Sequence, residues 1–350
     1  MSPAGPRLTL VPKAGTSTGP APLHRSLKQG FAQEESARGP SDKHEVKRKR
    51  KRGPMGGAFA ALPRMNTFKS KPFHKTGTDE DTLITGDDRL RVIVVGGNQE
   101  VGRNCTILEY GSDILVIDMG LQFPDEDMPG VDYIVPNLSY LKGKERNIRG
   151  VIITHGHYDH IGGIPHLMPQ LGNPPLFATD LTCAIVAKRQ EDHRDKPPLR
   201  INVIKSDDVL QLGVFKVEFF GVAHSVPCSL GVVVNTPCGI IVHTGDFKLD
   251  SEPGAQSKQE TEKIKALGER NVLALMCDST NASQPGRQLP EYEIQNNLDE
   301  IIRSSKGRLI IGTFASMIAR VQQIILACER NNRKVAIEGF SMRSNVMIAQ

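Results

Sequence analysis

The stretch Val151-Ile152-Ile153-Thr154-His155-Gly156-His157-Tyr158-Asp159-His160 decides the reading of this chain. Its β-branched apolar run predicts a short buried strand. Four potential metal ligands then follow within six residues. A strand that ends here sends His155 and His157 out on the loop leaving it, and Asp159 and His160 turn toward a neighbouring point as a helix begins. Gly156, Gly162 and Gly163 allow the tight backbone. Imidazole plus carboxylate suits zinc, with manganese or iron as alternatives. Structural zinc sites are usually closed and Cys-rich, so the H-x-H-x-D-H pattern favours a reactive centre.

One cluster of four is short of a two-cation site, which needs further ligands and a bridging carboxylate. Later residues supply candidates at predicted strand ends: His224 in Gly221-Val222-Ala223-His224-Ser225, and Asp246 in Thr244-Gly245-Asp246-Phe247. Asp118, in Val116-Ile117-Asp118-Met119-Gly120, is a third carboxylate so placed. Other histidines read more plainly: His243 as packed, His166 as facing away, His193 as solvated. Asp125-Glu126-Asp127 offers oxygen ligands for a structural Ca2+, or equally a solvated acidic turn.

Charge is unevenly spread. Residues 1–80 hold 16 Lys/Arg against 6 Asp/Glu, and residues 81–350 hold 28 against 33. The net +5 therefore belongs to the leading segment. That segment has 9 Gly and 9 Pro and few large apolar residues, so 1–84 is expected to be a disordered basic tail. Its unbroken run Lys47-Arg48-Lys49-Arg50-Lys51-Arg52 reads either as an arm that attracts phosphate backbones or as a solvated leader. No run of about 18 apolar residues exists, so no membrane span is expected. The six cysteines show no C-x-x-C spacing, which excludes a disulfide scaffold or Cys-based zinc ribbon and suits a reducing cytosol.

Beyond the tail, strands are predicted at 91–95, 105–109, 114–118, 151–154, 176–178, 215–220, 231–235 and 240–243, then at 272–277, 309–312 and 335–338. Helical periodicity marks 163–171, 180–191, 291–304 and 317–331. Sheets covered by helices are expected. A polar stretch at 251–269 suggests an exposed connection plus helix. The strand–helix alternation after it reads as a separate βαβ-type unit, with a boundary near 270.

The flanking text narrows the class. HGHYDH, preceded by IDMG and followed by AHS and TGDF, resembles the metallo-β-lactamase fold. GGNQEVGRNCTILEY, LQFPDEDMPGVDYIVPNLSYL, CDSTNA and FASMIARVQQII resemble the bacterial ribonuclease J family of its β-CASP branch, over about residues 90–350. The resemblance implies an α/β fold: a metallo-β-lactamase αββα sandwich over 85–270 and an incomplete β-CASP α/β domain over 271–350. It implies two divalent metal ions, Zn2+ or alternatively Mn2+. His155, His157 and His224 match the ligands of one metal; Asp159 and His160 match those of the other. Asp246 matches the bridging carboxylate, and Asp118 matches the aspartate that orients ligand imidazoles from behind. Asp118, Asp159 and Asp246 are thus the expected catalytic carboxylates. Asp278 matches the first acidic motif of the β-CASP insert, with a supporting role.

The implied activity is metal-dependent hydrolysis of RNA phosphodiester bonds, endonucleolytic and 5′-to-3′ exonucleolytic, in RNA processing and decay. The implied substrate is single-stranded RNA, with 5′-monophosphate ends preferred. A cytoplasmic location and a homo-oligomer at full length are also implied. Ser316, Arg320 and Lys248 are candidate RNA contacts, Arg320 opening a helix whose N-terminus favours phosphate. Two departures stand out. The family's last metal ligand and its phosphate-gripping His motif lie past the β-CASP insert, so the sequence is expected to be the N-terminal portion of a longer enzyme. The family's FASN motif reads Phe314-Ala315-Ser316-Met317 here, exchanging an amide for a thioether. The alternatives are a DNA-processing β-CASP nuclease, a lactamase- or thioesterase-like hydrolase, and a non-catalytic RNA-binding protein.

Overall fold

Ile114-Leu115-Val116-Ile117 is apolar throughout, yet its side chains alternate between two cores. Ile114 and Val116 pack with Ile107, Val151 and Ile153, whereas Leu115 and Ile117 pack with Leu108 and Ile152. Successive strand residues point to opposite faces, so an unbroken apolar run signals a strand covered on both sides. A computed structural model describes residues 9–10, 88–249, 258–286 and 288–350, and that two-sided burial organises it. Most of the expected tail, with its basic run at 47–52, lies outside the described residues.

The first sheet has seven strands hydrogen-bonded in chain order: β1 (Thr9–Leu10), β2 (Arg91–Gly96), β3 (Cys105–Tyr110), β4 (Asp113–Ile117), β5 (Ile148–Ile152), β6 (Leu176–Ala178) and β7 (Ile201–Val203). β2, β3 and β4 form an antiparallel meander, and β4 through β7 run parallel. The second sheet contains β8 (Val209–Leu212), β9 (Phe215–Gly221), β10 (Leu230–Thr236), β11 (Gly239–His243) and β12 (Val272–Met276), ordered β12-β11-β10-β9-β8. It is antiparallel except for β11 with β12.

Between the sheets, Leu108, Leu115, Ile117 and Ile152 meet Phe215, Val217, Val232, Val234 and Ile241. Each such side chain stabilises the fold by about 1.5–3 kcal/mol through burial. The outer face of the first sheet is covered by α1 (Tyr158–Ile161), α2 (Ile164–Leu167) and α3 (Asp180–Gln190), through Ile161, Ile164, Leu167, Cys183 and Val186. The outer face of the second carries α4 (Lys258–Glu269), whose Ile264 and Leu267 pack on Phe220, Val233 and Val242. The layers are therefore αββα, as expected.

Three helices follow: α5 (Glu291–Ser304), α6 (Ile318–Arg330) and α7 (Phe340–Ala349), with a small core of Ile302, Ala327 and Cys328. Several expectations are corrected here. The strand at 272–277 forms, but as β12 at the edge of the second sheet, not within a separate βαβ unit. Residues 309–312 and 335–338 are not strands. An extended run becomes a strand only when a neighbour completes its ladder, and Ile310 is 90% exposed. The helical reading of 163–171 resolves into α2 and a 3₁₀ turn, Met168–Leu171, with Pro165 and Pro169 in their first turns. The strand β1, inside the expected tail and paired parallel with β2, the short strands β7 and β8 and the helix α7 are additions that the sequence pattern does not announce.

Candidate metal centre

Four strands end on one rim of the sandwich, and the residue or loop leaving each carries a functional side chain. Asp118 directly follows β4, and Thr154, His155 and His157 follow β5. His224 follows β9, and Asp246 follows β11. His157 is the N-cap of α1, so Asp159 and His160 fall in that helix's single turn and aim back at the same rim.

Asp118 anchors the arrangement. It is 1% exposed and sits at φ +61°, a left-handed conformation that Asp tolerates better than most residues. Its Oδ1 accepts from Thr154 N at 2.8 Å, and its Oδ2 accepts from Thr154 Oγ1 at 2.9 Å. Oδ2 also lies 2.8 Å from His160 Nδ1. An ionised carboxylate only accepts, so His160 Nδ1 carries the proton and Nε2 is turned to the centre.

Two ligand groups result. His157 Nδ1 lies 3.1 Å from both His155 Nε2 and His224 Nε2. Asp246 Oδ2 lies 3.8 Å from the same two nitrogens. A tetrahedral zinc with ligands at about 2.0–2.1 Å has its ligand atoms roughly 3.3 Å apart, so this donor set fits such a cation. In the second group, His160 Nε2 is 3.2 Å from Asp246 Oδ1 and 3.4 Å from Asp159 Oδ2. Asp246 offers one oxygen to each group. The two groups, His155/His157/His224/Asp246 and Asp159/His160/Asp246, are the converging ligand clusters among the described residues. The acidic turn Asp125-Glu126-Asp127 is exposed and joins neither.

Electrostatics prepare the groups for a cation. Burial, then the charge of neighbouring histidines, holds His155 well below the usual imidazole range. The same causes, burial first and His224 next, bring His157 down to about 4. Burial also lowers His224, against the pull of Asp246. Asp159 and Asp246 are lowered despite burial because His160 faces both. Burial opposes charge on His160 too, but Asp118, together with the hydrogen bonds to Asp159 and Asp246, raises the metal-free ring well above its usual value. Near neutral pH His155, His157 and His224 are thus neutral and both carboxylates ionised, the state ligands require, whereas His160 must give up a proton as a cation binds.

A cavity of about 760 Å³ opens beside His224 and Asp246. Lys248, Asp278, Met317 and Arg320 line it, whereas Ser316 does not. Asp278 Oδ1 accepts from Thr280 Oγ1 at 2.7 Å, and its N–H donates to Thr244 Oγ1 at 3.0 Å. It buttresses the wall and joins neither ligand group. Lys248 Nζ donates to Leu289 O at 2.7 Å and Glu291 Oε1 at 3.2 Å. Arg320 Nη2 donates to Glu291 Oε2 at 3.1 Å, as does Gln323 Nε2. Both cationic RNA-contact candidates are therefore held by one carboxylate. Of the remaining histidines, His243 Nδ1 accepts from Gly245 N at 3.0 Å. His166 stacks on Tyr133, and His193, expected to be solvated, packs edge-on to His166 at 5.2 Å.

Sequence reasoning missed Thr154, Glu291 and Asn104. Thr154 opens the ligand motif and was visible there. Glu291 carried only the signal of a charge in a helix's first turn. Asn104 Nδ2 lies 3.2 Å from Asp159 Oδ2 and 3.1 Å from His160 Nε2, and its one signal was its place in GGNQEVGRNC.

Comparison with known proteins bears on this geometry. Residues 99–282 match the model of the metallo-beta-lactamase superfamily, and residues 306–350 match that of the ribonuclease J beta-CASP domain. The chain is 41% identical over 261 residues to ribonuclease J of Thermus thermophilus, covering 73% of this chain and 46% of that protein. It is 37% identical over 265 residues to ribonuclease J2 of Bacillus subtilis, covering 75% and 47%. The chain thus spans about half the length of the curated relatives it matches. A crystal structure of an Enterococcus faecalis protein of unknown function superposes with a TM-score of 0.55 at 18% identity, over 73% of this chain and 66% of that one, a likeness of fold alone. With the superfamily model matching more than half of its residues, the chain belongs to the metallo-beta-lactamase superfamily and is a relative of ribonuclease J.

Proposed function

We propose that this chain carries the metal centre of a ribonuclease that hydrolyses phosphodiester bonds of single-stranded RNA with two divalent cations, zinc first and manganese as the alternative. The observation that carries the reading is Asp246, whose two oxygens face two separate ligand groups. His155, His157 and His224 would hold one cation, and Asp159 and His160 the other. When bound, such cations lower the pKa of a water near the scissile phosphate and offset the charge that develops on the phosphate oxygens.

The protein's own groups do the rest. Asp118, fixed by Thr154, keeps His160 in the tautomer that leaves Nε2 free. The cavity beside His224 and Asp246 gives the nucleotide chain a place to lie, and Lys248 and Arg320 bring cationic groups to its wall. The unit beginning after β12, instead of at 270, would form the other side of that passage. We extend the reading to internal and 5′-to-3′ cleavage, a preference for 5′-monophosphate ends, a cytoplasmic setting and self-association of the full-length protein. Among the described residues no helix is long and apolar enough to cross a membrane.

The test is incubation of the zinc- or manganese-loaded full-length protein with 5′-monophosphorylated single-stranded RNA and with DNA of the same sequence. RNA cleavage that falls by about 10²–10³-fold in His157→Ala is expected. Absence of cleavage, equal cleavage by His157→Ala, or cleavage of the DNA alone would reject the assignment.

A further inference from the structure

Asn104 ends the loop Gly97-Asn98-Gln99-Glu100-Val101-Gly102-Arg103-Asn104, which joins β2 to β3. Four residues of this loop have positive φ: Gly97 (84°), Gln99 (60°), Gly102 (130°) and Arg103 (43°). Two of them are not glycine, and a residue so held costs of order 1–3 kcal/mol unless its surroundings over-determine it. Glu100 supplies that determination, accepting from Gly97 N at 3.2 Å and from Arg103 Nε at 3.0 Å and Nη2 at 2.9 Å.

What this loop fixes is one amide. Asn104 N donates to Asp159 O at 2.9 Å, and Asn104 O accepts from Gly120 N at 2.9 Å. The side-chain Nδ2 donates to Asp159 O at 3.1 Å and to Asp159 Oδ2 at 3.2 Å. Both Asp159 atoms only accept, so the donor end of the amide must face α1 and Oδ1 must face Gly97. The surroundings leave room for this pose and no other bulk. A Cβ on Gly97 would come within 2.0 Å of Asn104 Oδ1, and one on Gly120 within 1.6 Å of Asp159 O and 2.5 Å of Asn104 N.

We propose that Asn104 is a positioning residue for the second cation: its amide holds the Asp159 carboxylate turned toward His160 Nε2 and Asp246 while donating no ligand atom itself. The inference rests on the two-cation reading above. The other contact of Asp159 at the centre, Oδ2 to His160 Nε2, is a long 3.4 Å, its side chain is 27% exposed and its α1 is a single turn, so the amide is the closer restraint on the carboxylate. Holding it before the ion arrives removes an ordering cost from binding. The amide's contacts at the centre are with Asp159 and His160, both of the second group, so its effect is confined there.

The experiment is equilibrium dialysis of the 350-residue chain against a buffered series of free zinc concentrations, with bound zinc counted by elemental analysis. The wild type should show two binding steps. In Asn104→Leu, which keeps the branched heavy-atom skeleton and loses the donor, the first step should stay in place and the second weaken by about 10–100-fold, the usual cost of removing a group that orients a ligand. Asn104→Ala should do the same, and it decides the matter should the leucine variant fail to fold, as shown by loss of the first step. Two unmoved steps in a folded variant, or equal weakening of both, would overturn the proposal. A wild type that binds a single zinc at every concentration would overturn this inference for the chain, while RNA cleavage by the full-length protein tests the two-cation reading separately.

Discussion

The sandwich that carries the metal centre and the helices that follow β12 are built from the same residue types, yet they differ in where their apolar side chains go. Ile107, Leu115, Val116, Ile152 and Phe215 are all at 0% exposure. Beyond β12, Ile302 of α5 reaches 0%, but Ile310 and Phe314, in the connection between α5 and α6, and Phe340, at the start of α7, stand at 90%, 76% and 83%. A strand between two layers needs apolar residues on both faces, and its register fixes where its final residue points. A helix lying on one neighbour needs a single stripe, so neither its position nor its end is fixed as tightly. Ligands are accordingly gathered where strands end, and the helices contribute cavity wall.

Cutting into each core sharpens that contrast most. Phe215→Ala removes a fully buried ring between the sheets and should cost about 3–5 kcal/mol in chemical denaturation. Ile302→Ala, equally buried, sits in a small cluster with Ala327, Cys328, Leu309 and Ile324. The helices can close over the gap, so its cost should fall near about 2 kcal/mol, the low end for such a truncation. Equal costs, or the reverse order, would break the claim that the two regions differ in packing.

The metal centre gives the next effect. His157→Ala deletes the nitrogen that stands 3.1 Å from two other ligands. RNA cleavage should fall by about 10²–10³-fold, the scale of losing one preorganised electrostatic group, with thermal stability little changed. Asp118→Asn should be milder. The new amide would set a donor against His160 Nδ1 and push the proton to Nε2, costing about 10–100-fold in affinity for the second zinc. A zinc titration that matches wild type would show that Asp118 shapes the backbone and leaves the tautomer alone.

This contrast also explains what the sequence makes legible. The six candidate ligand residues can be read because strand ends and the H-x-H-x-D-H spacing are local facts, and the resemblance adds their pairing. β7 is invisible: Ile201-Asn202-Val203 is three residues long with a polar centre, and its ladder to β6 is what makes it a strand. The placement of β12 escapes for a related reason. Val272–Met276 looks like any edge strand, and nothing local says that it pairs with β11 across the polar stretch at 251–269. Asn104 and Glu291 escape because the partners that give them a role, Asp159 and Arg320, lie 55 and 29 residues away in sequence.

The smallest expected effect tests whether the two regions are coupled at all. Glu291, in α5, takes hydrogen bonds from Lys248 of the sandwich and from Arg320 and Gln323 of α6. Its charge matters to both cationic side chains, and these contacts, against the burial that opposes them, leave Glu291 below the usual carboxylate range. The side chain is nevertheless 38% exposed, so solvent screening limits each pair to about 0–1 kcal/mol. Glu291→Gln should therefore leave global stability within about 1 kcal/mol of wild type. Locally it removes a carboxylate that ties the loop after β11 to α6, so amide hydrogen exchange should quicken at the start of α6 and around Lys248, while β5 and β9 keep their protection. Faster exchange throughout the sandwich would mean that the helices brace the metal centre; no change anywhere would mean that the carboxylate only covers charge the cavity wall already tolerates.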